Sequence, residues 1–275
     1  MKYLTFCFMC FYVISFSQKI SLPPGIQLDA ENYESMDLDT SQLNVFYKYQ
    51  SGKEGNSEVI TILQIGKKYS KFCDYNNIKT DSLSLLYNKK GKIGENELNL
   101  LFKNYSKIKL QIFKNNDEKL VVYQNSVNGT KYEYFEKQPI INWKIHNETK
   151  TVLGYLCNKA TASYRGREYI AWYSPDIPQS NGPSYFGGLP GLIMEIAEKD
   201  NLIKITATAI TKSPMIIYKR NEKNILMVSR EKFRKIQKDY IENPNAFMTG
   251  KAYNADGTPL TIKPQKNTYN PLELE

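Results

Sequence analysis

The chain has 275 residues, with 37 Lys and Arg against 28 Asp and Glu for a formal net charge of +9, and with 21 Tyr, four Cys and one His. A single histidine leaves no His/Cys cluster for zinc. The lysines are scattered rather than massed in a basic run, so the charge reads as a solvated surface and no nucleic-acid partner is expected.

Residues 1–17 have the order of a secretory signal peptide: Lys2, an uncharged apolar run from Leu4 to Phe16, then small residues at Ser15 and Ser17, with Gln18 as the new N-terminus. The run is too short for a permanent span, which takes roughly 20 residues. Phe8 and Met9 before Cys10 are too bulky for a lipid-anchor box. The mature protein is expected to be exported, in the periplasm or outside the cell, with no transmembrane span. Cleavage removes Lys2, Cys7 and Cys10, leaving 36 basic against 28 acidic residues, or +8. Cys73 and Cys157 remain as a candidate disulfide, with two separate buried thiols as the alternative.

Residues 18–42 are polar, carry Pro23-Pro24-Gly25, and read as an extended leader. A single β-rich domain is expected over 43–275. It starts with a hairpin, Leu43–Tyr49 and Glu58–Ile65, around a polar loop. Two short helices are expected over Asp81–Tyr87, capped by Asp81, and Glu95–Tyr105. Strands return at 109–113, 120–123, 132–135, 143–145, 150–156, 158–164, 169–173, 192–197 and 202–210, with Asn128-Gly129 as a tight turn. Ser229 caps a helix over 230–242 whose apolar stripe is Phe233, Ile236, Tyr240 and Ile241, and Pro244 ends it. The fold class is therefore mainly β with minor α. It is a large curved antiparallel sheet, closed on itself as an open barrel or curled around helices, plus a C-terminal helix.

The most informative stretch runs from Trp172 to Ile196. Pro175, Pro178 and Pro183 stiffen a loop that ends in Gly188, Leu189, Pro190, Gly191, Leu192 and Ile193. Leu189-Pro190-Gly191-Leu192 suits a type II turn, with Pro fixing the first central residue and Gly taking the positive φ of the second. Here the chain resembles the GLPGLI family, found mainly among secreted proteins of Bacteroidetes. The flanks Gly154-Tyr155-Leu156-Cys157, Arg165-Gly166-Arg167, Ala171-Trp172-Tyr173, Ile177-Pro178, Gly182-Pro183 and Asn270-Pro271-Leu272-Glu273-Leu274 add to the likeness. The resemblance implies an exported envelope protein, often in organisms rich in TonB-dependent outer-membrane receptors, and implies no reaction. The pattern is also analogous to the open-barrel lipid carriers of lipoprotein sorting, although fold does not fix function.

No catalytic constellation stands out. His146 lies in an Asn-rich turn without a serine elbow, and the glycines at 187, 188 and 191 lack the Lys-Ser/Thr of a phosphate loop. Asp176 and Glu195 bracket the motif and are the carboxylates an envelope hydrolase would use. The leading expectation is a non-enzymatic, monomeric module without cofactor or metal. Its expected partner is a lipid, a glycan or an outer-membrane protein, with Trp172, Tyr173, Tyr185 and Phe186 lining a mouth. An accessory or scaffold role beside an outer-membrane receptor would use edge strands instead.

Overall fold

The computed structural model describes residues 21–30, 34–52, 57–200, 202–221, 224–247, 269 and 271–274. The signal-peptide stretch and Asn270 lie outside them. The elements in order are β1 (Leu28–Asp29), β2 (Ser35–Ser51), β3 (Ser57–Gly66), β4 (Tyr69–Asp74), α1 (Tyr75–Lys90), β5 (Lys92–Ile93) and α2 (Glu95–Lys103). There follow β6 (Gln111–Asn115), β7 (Leu120–Val127), β8 (Thr130–Lys137), β9 (Lys144–Val152), β10 (Tyr155–Tyr164), β11 (Arg167–Ser174), β12 (Leu192–Glu198), β13 (Ile203–Thr211), β14 (Ile216–Arg220), β15 (Leu226–Met227) and α3 (Arg230–Glu242).

Thirteen strands form one sheet in the order β15-β8-β7-β6-β4-β3-β2-β13-β12-β11-β10-β9, with β14 on β2 outside that path. Every pairing is antiparallel except the short parallel β15–β8. The sheet does not close into a barrel, but it curls until its distant parts meet. Arg165, in the β10–β11 turn, is paired at 2.9 Å with Glu136 of β8.

Alternation sets the two faces. Val45 and Tyr47 of β2, Leu63 of β3, Phe72 of β4, Ile112 of β6, Tyr123 of β7, Ile205 of β13 and Ala171 of β11 point to the concave side and belong to one core. The convex side of β3 and β4 is also covered. Gln64 and Lys71 there are fully buried under β14, whose Ile216 and Tyr218 carbonyls accept from their side chains.

The long β2 corrects the leader expected over 18–42. Residues 35–42 already belong to the strand, pairing with β14 from Ser35↔Arg220 to Thr40↔Ile216. Their polar, largely exposed side chains hide the strand locally, because the stabilising partner lies far along the chain.

The helices also differ. The first starts at Tyr75, and its cap is Asp74, which accepts from Asn76 N and from the amides of Lys107 and Ile108. Asp81 sits inside that helix, buried, accepting from Tyr218 Oη at 2.9 Å and paired with Arg220 at 3.4 Å. A carboxylate in that position serves tertiary pairing rather than capping. The expected strand 150–156 is interrupted by a Leu153-Gly154 turn, both residues at positive φ like Asn128-Gly129 and Arg165-Gly166. The C-terminal helix forms as expected, with Ser229 Oγ accepting from Lys232 N and Phe233 buried on its apolar stripe.

Cys73 and Cys157 are both buried free thiols, not a disulfide. They stand on β4 and β10, with β3, β2, β13, β12 and β11 between them in the sheet. Burial pushes the Cys73 thiol up to about 12 and raises Cys157 as well, so both are held protonated.

Candidate functional site

The loop 175–191 does not project into solvent. It folds back onto the concave face, and Asn181 to Phe186 are all buried. A buried loop must satisfy its backbone internally. Leu192 N donates to Ile177 O, Ile193 N to Asn181 O, and Phe186 N to Pro183 O.

Lys114 of β6 supplies the rest. Its buried ammonium donates to Asn181 Oδ1 at 2.9 Å, Gly182 O at 3.1 Å and Phe186 O at 2.8 Å. Burial without a carboxylate partner pushes its pKa down to about 7. Asn181 also donates to Ser70 Oγ on β4, and Trp143 Nε1 donates to Gly187 O at 2.8 Å.

The Gly188–Ile193 segment is the exit of this loop. The expected type II turn is replaced by a tighter one. Gly191 N donates to Leu189 O at 2.8 Å, which makes a γ-turn centred on Pro190, while Leu192 N is drawn instead to Ile177. Gly191 is required by space as well as by its φ of 154°. A Cβ there would stand 2.2 Å from Ser174 O and 2.7 Å from its carbonyl carbon. Leu189, Leu192 and Ile193 are fully buried, and Tyr47 Oη donates to Ile193 O at 2.8 Å. The motif is thus a core-locking device.

The four aromatics expected to line a mouth separate. Tyr173 is core, and Phe186 is fully buried between Tyr169 and Tyr185, with ring centroids at 4.9 and 4.4 Å. Trp172 points to the convex side, with Lys150 Nζ 4.6 Å above its ring. Tyr185 alone lines a cavity. The two carboxylates differ in environment. Asp176 is exposed, whereas Glu195 is buried and tied to Lys150 at 2.6 Å and to Thr206 Oγ1 at 3.1 Å. His146 Nε2 lies 2.8 Å from Thr161 Oγ1. No group of three or more His, Cys, Asp or Glu that could hold a metal occurs among the described residues.

The cavity, of about 390 Å³, lies between the concave face and α3. Tyr49, Tyr123, Tyr134, Tyr185, Phe233 and Tyr240 give it an aromatic wall. Tyr123 and Tyr134 stack with centroids 4.6 Å apart and planes at 8°, and Phe233 packs on Tyr134 at 5.5 Å. Burial raises the Tyr123 and Tyr134 phenols, so both stay neutral donors. The Tyr123 hydroxyl is buried and has no hydrogen-bond partner.

At the rim lies the segment 271–274. Arg165 Nη1 reaches both Glu273 carboxylate oxygens at 2.8 and 2.9 Å. Arg230 Nε donates to Glu273 Oε2 at 3.0 Å, and Arg234 Nη2 to Glu273 O at 3.0 Å. Leu274 N donates to Arg165 O, and Tyr169 Oη to Leu272 O.

Sequence reasoning assigned no site role to Tyr123, Tyr134, Lys114 or Arg230, and it quoted Arg165 and Glu273 only as flanks of the family resemblance. Alternation along β7 and β8 could have put both tyrosines on the inner face. Nothing in the sequence pairs Arg165 with Glu273, 108 residues away.

No curated protein sequence matches the chain. Among solved structures it is similar to PNGF-II in a P21 crystal form (16% identity, TM-score 0.48) and in a C2 form (17%, 0.47). Each match covers 72% of this chain but only 33% and 32% of PNGF-II, so the chain spans about a third of that protein's length. Residues 86–235 match the family described as "N-glycanase peptide, N-terminal domain". That region holds Lys114, Tyr123, Tyr134, Arg165, the Gly188–Ile193 turn, Arg230 and Phe233. Because the match takes in more than half of the 275 residues, the chain belongs to the N-glycanase peptide N-terminal domain family.

Proposed function

We propose that this chain is an exported, non-catalytic binding module of the cell envelope that takes a glycan in the tyrosine-lined cavity beneath α3. One observation carries the reading: the concave face leaves about 390 Å³ walled by aromatic rings, among them Tyr123, whose buried hydroxyl has no hydrogen-bond partner. Concave sites of this size with an apolar wall and a few fixed polar groups are where small ligands bind. Flat aromatic faces suit the C–H faces of a sugar ring, and the phenols supply donors for its hydroxyls.

The family description names an N-glycanase, which supports a glycan as the ligand class. Export is supported by the N-terminal pattern of residues 1–17 and by the resemblance of Gly188–Ile193 and its flanks to the GLPGLI family. The non-catalytic reading is supported by the ion pair that occupies Glu195.

The test is titration calorimetry of residues 18–275 against a panel of neutral and acidic oligosaccharides. Tyr240→Ala, at a partly buried wall position, should weaken binding about tenfold or more with a melting temperature close to the parent. A protein that binds no member of the panel sinks the reading. A second reading, an acyl chain in the same cavity, draws on the apolar character of Phe233, Leu110 and Ile241 in its wall. It predicts a lipid mass that survives desalting in native mass spectrometry.

A further inference from the structure

Five charged side chains gather beside the cavity, and two of them, Arg234 and Glu273, line it. Arg165, Arg230 and Arg234 contribute three positive charges, and Glu136 and Glu273 two negative ones. Arg165 grips Glu136 at 2.9 Å as well as Glu273 at 2.8 Å. Arg230 reaches Glu273 with two nitrogens and lies 3.8 Å from Glu136. The two carboxylates differ in origin. Glu136 is built into β8, inside the sheet. Glu273 arrives on a segment that forms no strand or helix, whose residues 271–274 are half-buried or exposed, Leu274 being 52% exposed. Glu273 is the carboxylate that Arg165 and Arg230 share, and Arg234 holds its backbone carbonyl.

Arg165 has a φ of +47°, left-handed backbone that non-glycine residues other than Asn and Asp seldom adopt. The positive φ belongs to the two-residue hairpin turn with Gly166, as at Leu153-Gly154. A guanidinium suits a carboxylate: Arg165 uses both terminal nitrogens on Glu136 and holds both Glu273 oxygens with Nη1, while Arg230 adds a second guanidinium on Glu273. The clasp adjoins the same cavity, since Glu273, Leu272 and Arg234 line it together with Tyr123, whose buried hydroxyl is unpaired.

From this geometry we infer that the Arg165–Arg230 clasp is the acid-recognition subsite of the cavity. Its ligand is a carboxylate-bearing glycan, and Glu273 of the chain's own C-terminal segment occupies the subsite until that ligand displaces it. The inference rests on the glycan reading of the cavity and names the class of glycan. The sugar acid replaces Glu273 between the arginines, the ring lies along Tyr134 and Phe233, and a ring hydroxyl satisfies Tyr123 Oη. The segment 271–274 then acts as a tethered competitor, which lowers apparent affinity by the fraction of molecules in which it is docked.

The experiment uses residues 18–275 and three probes: a disaccharide ending in glucuronic acid, its methyl ester, and the glucose analogue. In the parent protein the acid should bind about tenfold more tightly than the ester or the neutral sugar. Glu273→Gln should tighten the acid a further fivefold or more and leave the ester unchanged. Arg165→Gln should erase the preference for the acid. If acid, ester and neutral sugar bind alike to the parent, the inference is overturned while the glycan reading stands. If Glu273→Gln weakens the acid in a protein that still melts cooperatively, the competition is refuted. If no probe binds parent or variant, the inference falls together with the glycan reading. The acid-against-ester comparison on the parent needs no substitution, so a misfolded variant does not remove the test.

Discussion

The concave face of the sheet is completed in two different ways. Beneath residues 175–191 the chain fills its own interior. Phe186, Leu189 and Ile193 are buried, and the amine of Lys114 meets three oxygens within 3.1 Å. Beneath α3 the same face stays incomplete. The aromatic rings are in place, but about 390 Å³ is unfilled and the Tyr123 hydroxyl has no partner. Buried hydroxyls without partners occur in both halves, Ser174 and Ser184 in the first and Tyr123 in the second, so the difference lies in the unfilled volume. The best-marked sequence motif falls in the first half, so a conspicuous motif can identify the scaffold rather than the site.

That comparison is broken most severely at Gly191. Gly191→Val puts a branched side chain where even Cβ would meet Ser174 O at 2.2 Å. The expected loss exceeds about 4 kcal/mol in urea unfolding, if the variant folds at all. An unchanged midpoint would show that the loop is not locked. Pro190→Ala should lose about 1 kcal/mol or less, since it only frees the backbone of the unfolded chain.

Lys114→Met should cost about 3 kcal/mol, because the Gly182 and Phe186 carbonyls lose their donor and Asn181 Oδ1 keeps only Gly182 N. It should also remove a pH effect. The folded Lys114 sits near 7, below its ordinary 10.5. Between these values the unfolded chain binds a proton that the folded chain lacks. Stability of the parent should therefore rise with pH from about 7 to 10.5, by at most about 5 kcal/mol, and carry the full burial penalty below pH 7. A Lys114→Met variant with the same slope as the parent in that window would place the titration elsewhere.

In the open half the effects are smaller and the direction can reverse. Tyr123→Phe deletes an unsatisfied buried hydroxyl, so stability should hold or gain up to about 1 kcal/mol while glycan affinity drops. A loss of 2 kcal/mol or more would mean that the hydroxyl is already satisfied and the cavity finished. Smallest of all, reduction of the mature protein should change neither its mass nor its melting temperature. Cys73 and Cys157 should resist alkylation at pH 8 until the chain unfolds.

Much of the scaffold was legible, and the reasons are local. Alternation marked β3, β6, β7, β11, β12 and β13. Paired turn residues marked Asn128-Gly129, and a serine followed by a 3.6-residue stripe marked α3. The demand for glycine at 191 was also legible, but its cause was not. The sequence suggests a φ requirement in a type II turn, whereas the structure adds a backbone passing within van der Waals contact at Ser174. What stayed hidden depends on partners far along the chain. The first half of β2 exists because of β14, and Asp81 is buried because Tyr218 and Arg220 reach it. The arginine clasp joins residues from the β10–β11 turn, α3, β8 and the C-terminal segment. Among the mouth aromatics, the pattern could not distinguish Tyr185, which meets the cavity, from Phe186, which meets Lys114.

The span of β2 carries one further consequence, for the order in which the molecule assembles. Its outer half pairs Thr40 with Ile216, and its inner half pairs Tyr49 with Ile205. Only the pairing with β3 is available to a chain that has just emerged. The strand at the centre of the sheet therefore waits, with one edge bare, until more than 150 further residues have been made. Non-local pairing of this kind slows folding and leaves a strand edge open to other chains. Refolding at rising protein concentration should lose yield to aggregation before the β13–β14 segment docks, and a synthetic peptide spanning residues 203–220 should bind the growing edge and stall the reaction.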